Sequence, residues 1–474
     1  MTVTRIGGLA LLLAGSATLS ACASIPDLGT RPEVRPVGQL ASTESLRGQT
    51  GEWPARGWWK AYGDPQLDQL MAEAVAGSPD LKAAAARLRT ARGYAQQAGA
   101  ALLPSVDGTA SVGLVQQSEN NGVPAAFVPQ GWQDSGKLGL GFAFDLDLWG
   151  KNRATLAAAK LDAEAARYEA EETQLVLTTS IAAAYADLAK LHAQHDVIAA
   201  IIANRSETLR LVAGRTQAGL DNQAALKQAQ SRVPAARAEL AATDEAIALT
   251  RNAIAALTGA GPDRALAISR PSVVLDGVRG VPTDASIDLI GRRPDIAAAR
   301  AGVEASASRI KVAKASFYPD ISISGLIGLQ ALGVDNLLKG GSTYGNVGPA
   351  ISLPIFHGGA LAGQYRGARG KYDEAVARYD GVVVQALREV ADAMVSRDML
   401  VRRLNESRQA LRDAEAAYAL ARTRYTQGLS SYLDVLTTEE NVLQARSSVA
   451  ELETRGFTLD IAMIRSLGGG FTRA

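Results

Sequence analysis

The sequence predicts a mainly α protein with a β part, built from two copies of one pattern in a chain of 474 residues. Three observations carry that prediction. Residues 215–259 recur without a gap as residues 424–468, 209 positions later, and residues 79–104 recur as residues 294–319, 215 positions later. Self-similarity at a fixed offset marks an internal structural repeat. Residues 151–213 and 382–427 hold neither Gly nor Pro, so long helices can run through them. Between the helical patterns, each copy has two stretches in which apolar residues alternate with small or polar ones, the period of a strand.

Composition and the N-terminus narrow the setting. Lys plus Arg total 49 against Asp plus Glu 48, a net charge of +1, which makes no electrostatic case for nucleic acid or an acidic substrate. Aromatic residues are only 5% and Ala is abundant, a composition suited to close helix packing. Residues 1–21 carry Arg5, a short apolar run and small residues just before the single cysteine, Cys22. That is the shape of a signal peptide. Leu19-Ser20-Ala21-Cys22 resembles the bacterial lipobox, which implies that Cys22 becomes a lipidated N-terminus; Ala23 and Ser24 follow it, which by the same resemblance favours the outer membrane. No other stretch reaches about 18 continuous apolar residues, so no transmembrane helix is expected. No cofactor is expected apart from the covalent lipid on Cys22.

Residues 22–57, frequent in Pro, Gly, Ser and Thr, read as an extended linker. The first repeat is placed at 58–259. Asp64-Pro65 starts a helix to about Ala76, and Ser78-Pro79-Asp80 starts another. Strands follow at about 105–116, with Val106, Gly108, Ala110, Val112 and Leu114 on one face, and at about 137–147, with Leu138, Leu140, Phe142, Phe144 and Leu146 on one face. A long helix then reaches Gly219-Leu220, turns and returns, with Pro234 expected to kink the return. Residues 260–291 join the copies. The second repeat, 292–468, has strands at about 320–329 and 345–354 and a hairpin turn at Gly428-Leu429; residues 469–474 form a tail. Apolar residues recur every seven along the helices, as in Leu161, Tyr168, Leu175, in Leu177, Ala184, Leu191, Ile198, in Leu404, Leu411, Tyr418, Tyr425, and in Val435, Val442, Val449. This is the seam of side-by-side, coiled-coil helices.

Each strand is long enough to cross an outer membrane when tilted, although a soluble four-stranded sheet fits the strand pattern equally well. The long antiparallel helices favour the membrane reading. Four strands cannot close a barrel, for which about eight are the minimum, and a sheet in lipid can leave no open edge. If the strands span a membrane, several copies must pool them under cyclic symmetry.

Trp58-Trp59-Lys60-Ala61-Tyr62-Gly63-Asp64-Pro65, Phe144-Asp145-Leu146-Asp147-Leu148-Trp149-Gly150-Lys151, Arg292-Arg293-Pro294-Asp295, Leu353-Pro354-Ile355-Phe356-His357-Gly358-Gly359 and the Tyr425-to-Leu436 turn together resemble the outer-membrane efflux factor family. These are TolC-like channels, here of the lipoprotein (NodT-type) branch. The resemblance spans residues 58–468. It implies an internally duplicated α/β-barrel channel and a homotrimer whose four strands per chain make one 12-stranded barrel. It also implies a helical tunnel, docked on a periplasmic adaptor (membrane fusion) protein that is fed by an inner-membrane RND-type pump. The expected place is the outer membrane, lipid-anchored and extending into the periplasm, and the expected role is passive efflux of drugs or metals. A type I protein-secretion tunnel and a non-conducting periplasmic scaffold are the alternatives.

By the same resemblance, Arg215, Gly219, Leu220, Arg424, Gly428 and Leu429 form adaptor-docking tips, although a Gly there also suits a left-handed helix cap. Asp434 corresponds to an acid that rings the narrowed tunnel end, with Leu433 beside it as an apolar constriction. In the family so resembled, many relatives carry a second acid one turn on, where this chain has Thr437. His192 and His195 lack a third ligand at useful spacing, so no metal site is assigned. Gly468-Gly469-Gly470 follows a helix and so is unsuited to phosphate, and Arg292-Arg293 is expected to pair with carboxylates. No nucleophile and base are paired by spacing, so the chain is not expected to be an enzyme.

Overall fold

The computed structural model describes residues 24–40, 44–46, 51–120, 122–273, 278–282, 289 and 291–473. Cys22 and the signal-peptide assignment lie outside them. The elements are α1 (Pro65–Gly77), α2 (Pro79–Ala100), β1 (Ser105–Val115), β2 (Gln133–Asp145), α3 (Lys151–Gln217), α4 (Gln223–Leu257), α5 (Pro294–Ala315), β3 (Asp320–Leu332), β4 (Thr343–Ser352), α6 (Ala360–Thr426) and α7 (Tyr432–Ser466). The duplication is visible in their lengths: α2 and α5 have 22 residues each, α3 and α6 have 67, and α4 and α7 have 35.

Local chemistry accounts for the boundaries. Asp64 caps α1 by accepting from the Gln66 and Leu67 amides at 2.9 and 3.2 Å, with Pro65 where its missing N–H costs nothing. β2 stops at Asp145, before the sequence-based limit of 147, because Asp147 takes a positive φ of 44° and turns its carboxylate onto the Asn152 and Arg153 amides that open α3. β2 also begins earlier, at Gln133, and β3 runs on to Leu332, since each continues to pair beyond its alternating core. α6 begins at Ala360, well before residue 382; Gly363, Gly367, Gly370 and Gly381 sit inside it. Gly lowers helix propensity by about 1 kcal/mol against Ala, and the surrounding helix overrides it. α4 continues through Pro234. At 1.5 Å per residue, α3 and α6 are each about 100 Å long.

The chain divides into two compact units, and neither is one repeat, since each draws on both halves of the sequence. The first comprises residues 1–34, 87–166 and 299–379. It holds an antiparallel sheet in the order β1-β2-β3-β4. The pairings Val106↔Phe142, Leu140↔Ile327 and Gly325↔Val347 are in register across all four strands. Because side chains alternate along a strand, this register gathers Val106, Val112, Leu138, Leu140, Phe142, Ile323, Ile327, Val347 and Ile351 on one face. Asp107, Ser111, Lys137, Ser322, Asn346 and Ser352 share the other. The expected alternation is therefore present as a two-faced sheet.

The second unit comprises residues 35–86, 167–298 and 380–474. Its main core joins Trp58, Tyr62, Leu67, Leu70 and Met71 to Leu177, Ile181, Tyr185 and Leu188 of α3, Ile254 of α4, and Phe457, Ile461 and Ile464 of α7. Tyr168, Leu175, Leu177, Ile198, Tyr425, Val435, Val442 and Val449 of the sevenfold series are buried. Arg293 is buried and bound to Asp295 (2.6 Å), Glu389 (2.8 Å) and the Ser466 carbonyl (3.0 Å). It does pair with carboxylates. Gly468 closes α7 at φ 83°, where a Cβ would lie 1.9 Å from the Arg292 carbonyl oxygen.

Candidate functional site

Two regions carry the features that a channel would need: the hairpin turns of the second unit and the sheet of the first. Each is described by itself.

At the first turn the Leu220 amide donates to Arg215 O (2.8 Å) and the Gly219 amide to Thr216 O (3.1 Å); at the second, Leu429 donates to Arg424 O (2.8 Å) and Gly428 to Tyr425 O (3.0 Å). Both are Schellman closures, with Gly219 at φ 67° and Gly428 at φ 76°. The glycines are therefore needed by the backbone. Leu220 and Leu429 are each 65% exposed, so both turns present a leucine to solvent.

The two turns are tied together inside one chain. Asp221 Oδ2 accepts from Arg215 Nε at 2.9 Å and from the Tyr425 hydroxyl at 2.5 Å, and the Arg215 guanidinium lies 4.6 Å from the Tyr425 ring centroid. Beneath this cluster pack Val212, Ala229, Tyr425, Tyr432, Val435 and Leu436. Burial, then the adjacent Asp221 carboxylate, holds the Tyr425 phenol well above its usual range, so it stays a donor. Arg424 is exposed and makes no ion pair among the described residues. The expectation treated the two arginines alike, but the structure locks Arg215 in and leaves Arg424 out.

Asp434 is exposed at the start of α7, and its Oδ2 accepts from the Ser431 amide (2.9 Å) and hydroxyl (3.0 Å). This is the reach-back half of a capping box, a role that Ser431-x-x-Asp434 already spelled out. In the first repeat Asn222 caps α4 instead, accepting from the Ala225 amide. Leu433 is 62% exposed, and Thr437 spends its hydroxyl on the Leu433 carbonyl.

The sequence reading missed Asp221 and Glu439. Asp221 shares the turn with Arg215 and was legible there; its bond to Tyr425, 204 positions away, was not. Glu439 is 3% exposed with Oε1 lacking a partner. Burial raises its pKa and Arg205 and Arg232 oppose the rise. No spacing rule announces a buried Glu among tyrosines. His195 lies 3.6 Å from both Asp196 and Asp244, and no group of three or more potential ligands is present among the described residues.

The sheet's apolar face is bare: Val112 is 73% and Val347 77% exposed. β1 and β4 each leave one edge unpaired. No described helix is long and apolar enough to cross a membrane, which says nothing about strands. The N-terminal segment lies against α6 in this unit, with Arg369 bonded to the Thr30 carbonyl and the Tyr372 hydroxyl to that of Pro32 (3.0 Å).

One unit holds long helical hairpins and the other a four-stranded sheet with a bare apolar face, and comparison with known proteins supplies the class. The profile of the outer membrane efflux protein family matches residues 70–260 and 287–469. The chain belongs to that family; it is an outer membrane protein and not an enzyme. It is 38% identical to the fusaric acid resistance protein FusA of Burkholderia cepacia over 76% of this chain and 68% of that one. It is 30% identical to the multidrug resistance outer membrane protein MdtP of Escherichia coli K12 over 98% and 96%. Among solved structures, the outer membrane protein VceC of Vibrio cholerae superposes with a TM-score of 0.85 at 43% identity, over 88% of this chain and all of that one. The outer-membrane channel OprN gives 0.83 at 28%, over 95% and 99%.

Proposed function

We propose that the chain is the passive outer-membrane duct of a tripartite efflux system, assembled as a homotrimer. In this reading four strands from each of three copies close one 12-stranded barrel, and the helices continue its wall into the periplasm. One observation carries the reading: a four-stranded sheet with a bare apolar face and two open edges. In lipid each unpaired edge group costs several kcal/mol, and one copy has too few strands to close. The apolar face then meets lipid and the polar face, with Lys137 and Asn346, lines water.

A periplasmic adaptor, itself coupled to an inner-membrane RND-type pump, docks on the tips at Gly219-Leu220 and Gly428-Leu429, where the exposed leucines and Arg424 offer an apolar anchor and a charge. Parting the hairpins breaks the Arg215–Asp221–Tyr425 cluster. Three copies of Asp434 would bring carboxylates together at the narrowed end, where they repel one another and attract cations; Leu433 adds an apolar ring. Cys22 carries the lipid, a few residues ahead of the segment that lies on α6. The names of the relatives FusA and MdtP concern fusaric acid and multidrug resistance, which favours small molecules over proteins as cargo.

The test is single-channel conductance of the purified protein in a planar bilayer. A duct gives discrete current steps that lengthen when adaptor is added. A scaffold gives no current.

A further inference from the structure

Beside the sheet, the start of α3 and the end of α5 enclose a cleft of about 610 Å³. Its floor is small: Ala154 and Ala157 of α3 and Ala315 of α5. One wall is a stack. The Trp149 indole N–H donates to Pro319 O at 2.7 Å, which fixes the ring over Tyr318, with centroids 4.8 Å apart and planes 20° from parallel. Even so, Trp149 stays 50% and Tyr318 37% exposed. The mouth is cationic. Lys311 and Lys314 stand three apart on one face of α5, both exposed and neither ion-paired among the described residues. Arg153 also lines the cleft, but its charge is met by Asp147 at 3.1 Å. Among the described residues no Asp or Glu lines it.

Helix geometry says which side of the sheet the cleft faces. Lys151 reaches Asp320 at 3.9 Å, and Asp320 pairs with Ser352 on the polar face. Asp162 stands about three turns beyond Lys151 on α3, hence on the same side, and there it bonds Arg309 of α5. Arg153 and Lys311 lie two residues from Lys151 and Arg309, or roughly 200° round each helix. The cleft therefore opens on the side of the apolar face. The turns that join the sheet to the helices leave Leu148, Ile355 and Phe356 exposed there at the rim. Trp132, 68% exposed, precedes β2 and Trp149 follows it, so an indole stands at each end of the strand, as at the two interfaces of a membrane. Lysines just past such a belt lie at the depth of lipid phosphates.

We propose that this cleft binds the headgroup of an anionic glycerophospholipid from the leaflet on the helix side. Its phosphodiester pairs with Lys311 and Lys314, and its glycerol lies on the Trp149–Tyr318 stack. Two free cations without a carboxylate suit a headgroup of net negative charge over a zwitterionic one. The site rests on the reading that the apolar face meets lipid, and that reading would survive its loss.

Native mass spectrometry of the full-length, delipidated protein in mild detergent, titrated with dioleoylphosphatidylglycerol, tests it. The wild type is expected to retain this lipid several-fold better than dioleoylphosphatidylcholine. K311Q/K314Q should bind it about 30-fold more weakly, the worth of two cations at a lipid surface. K151Q/R309Q, which removes two cations from the opposite side, should bind it as the wild type does. Equal retention by K311Q/K314Q and the wild type overturns the site, and equal retention of the two lipids overturns its preference for negative charge. Glycerol phosphate bound as tightly as the lipid makes it a site for free anions and overturns the lipid assignment. A protein that stays in solution without detergent and takes up neither lipid overturns the membrane reading with it.

Discussion

Replacing Asp221 with Ala removes the carboxylate that joins the two hairpin turns. Two charge-assisted hydrogen bonds are lost, from Arg215 Nε at 2.9 Å and from the Tyr425 hydroxyl at 2.5 Å. Bonds to charged groups contribute about 1.5–3 kcal/mol each. The Arg215 and Asp221 side chains are each only 15% exposed, so even the lower figure for both bonds gives a joint loss of about 3 kcal/mol. If the cluster forms only when the hairpins are together, that loss shifts the closed-to-open ratio by roughly a hundredfold, at 1.4 kcal/mol per factor of ten. Open probability in planar bilayers without adaptor measures it directly. The Ala variant should rise from mostly closed to frequently open, and Asp221→Asn, which keeps an acceptor but no charge, should fall between. An Ala variant with unchanged open probability and unchanged thermal midpoint would refute the idea that this cluster holds the turns together.

Four further outcomes are expected. Burial first, and then the nearby Asp295 carboxylate, pushes Glu172 up to about 7, with Arg293 and Arg465 opposing. An acid raised in the fold is stable protonated, so its contribution is lost as pH climbs from its ordinary value towards 7. Glu172→Gln should raise stability at pH 8 by up to about 3 kcal/mol, read as a higher thermal midpoint, and leave it unchanged at pH 4; an equal shift at both would contradict the assignment. Asp434→Asn should reduce cation preference, read as the reversal potential across a KCl gradient, and Asp434→Ala should lose about 1 kcal/mol of stability besides. Leu140→Arg puts a charge on the apolar face and should cost about 2–4 kcal/mol on folding into lipid vesicles, whereas Ser324→Arg on the other face should insert normally. Cys22→Ser should abolish labelling by radioactive palmitate, and persistent labelling would exclude that cysteine.

Much of the fold was legible because it is written twice. The gapless offsets fixed the equal helix pairs, Asp64-Pro65 and Pro79 announced their helix starts, and period-two alternation located all four strands. Strand ends were less legible: β2 stops where Asp147 turns to cap α3, a choice between local partners that alternation does not encode. The start of α6 was hidden by four glycines, each a weak breaker that a long helix absorbs. At the turns the Gly-Leu pairs were readable from chemistry alone. The Asp221–Tyr425 bond was not, since it joins residues from different repeats, and buried Glu439 looked like any helix-surface acid. The Ser431-x-x-Asp434 cap is legible as a capping box, so Asp434 serves the start of α7 whatever it does in a pore.

One copy has too few strands to wall off lipid, and in the proposed assembly three copies together supply them. The mass of the mature protein extracted in mild detergent, corrected for bound detergent by light scattering, tests it most directly. A species of three chains is expected; a single chain, or a protein that stays in solution without detergent, would contradict it.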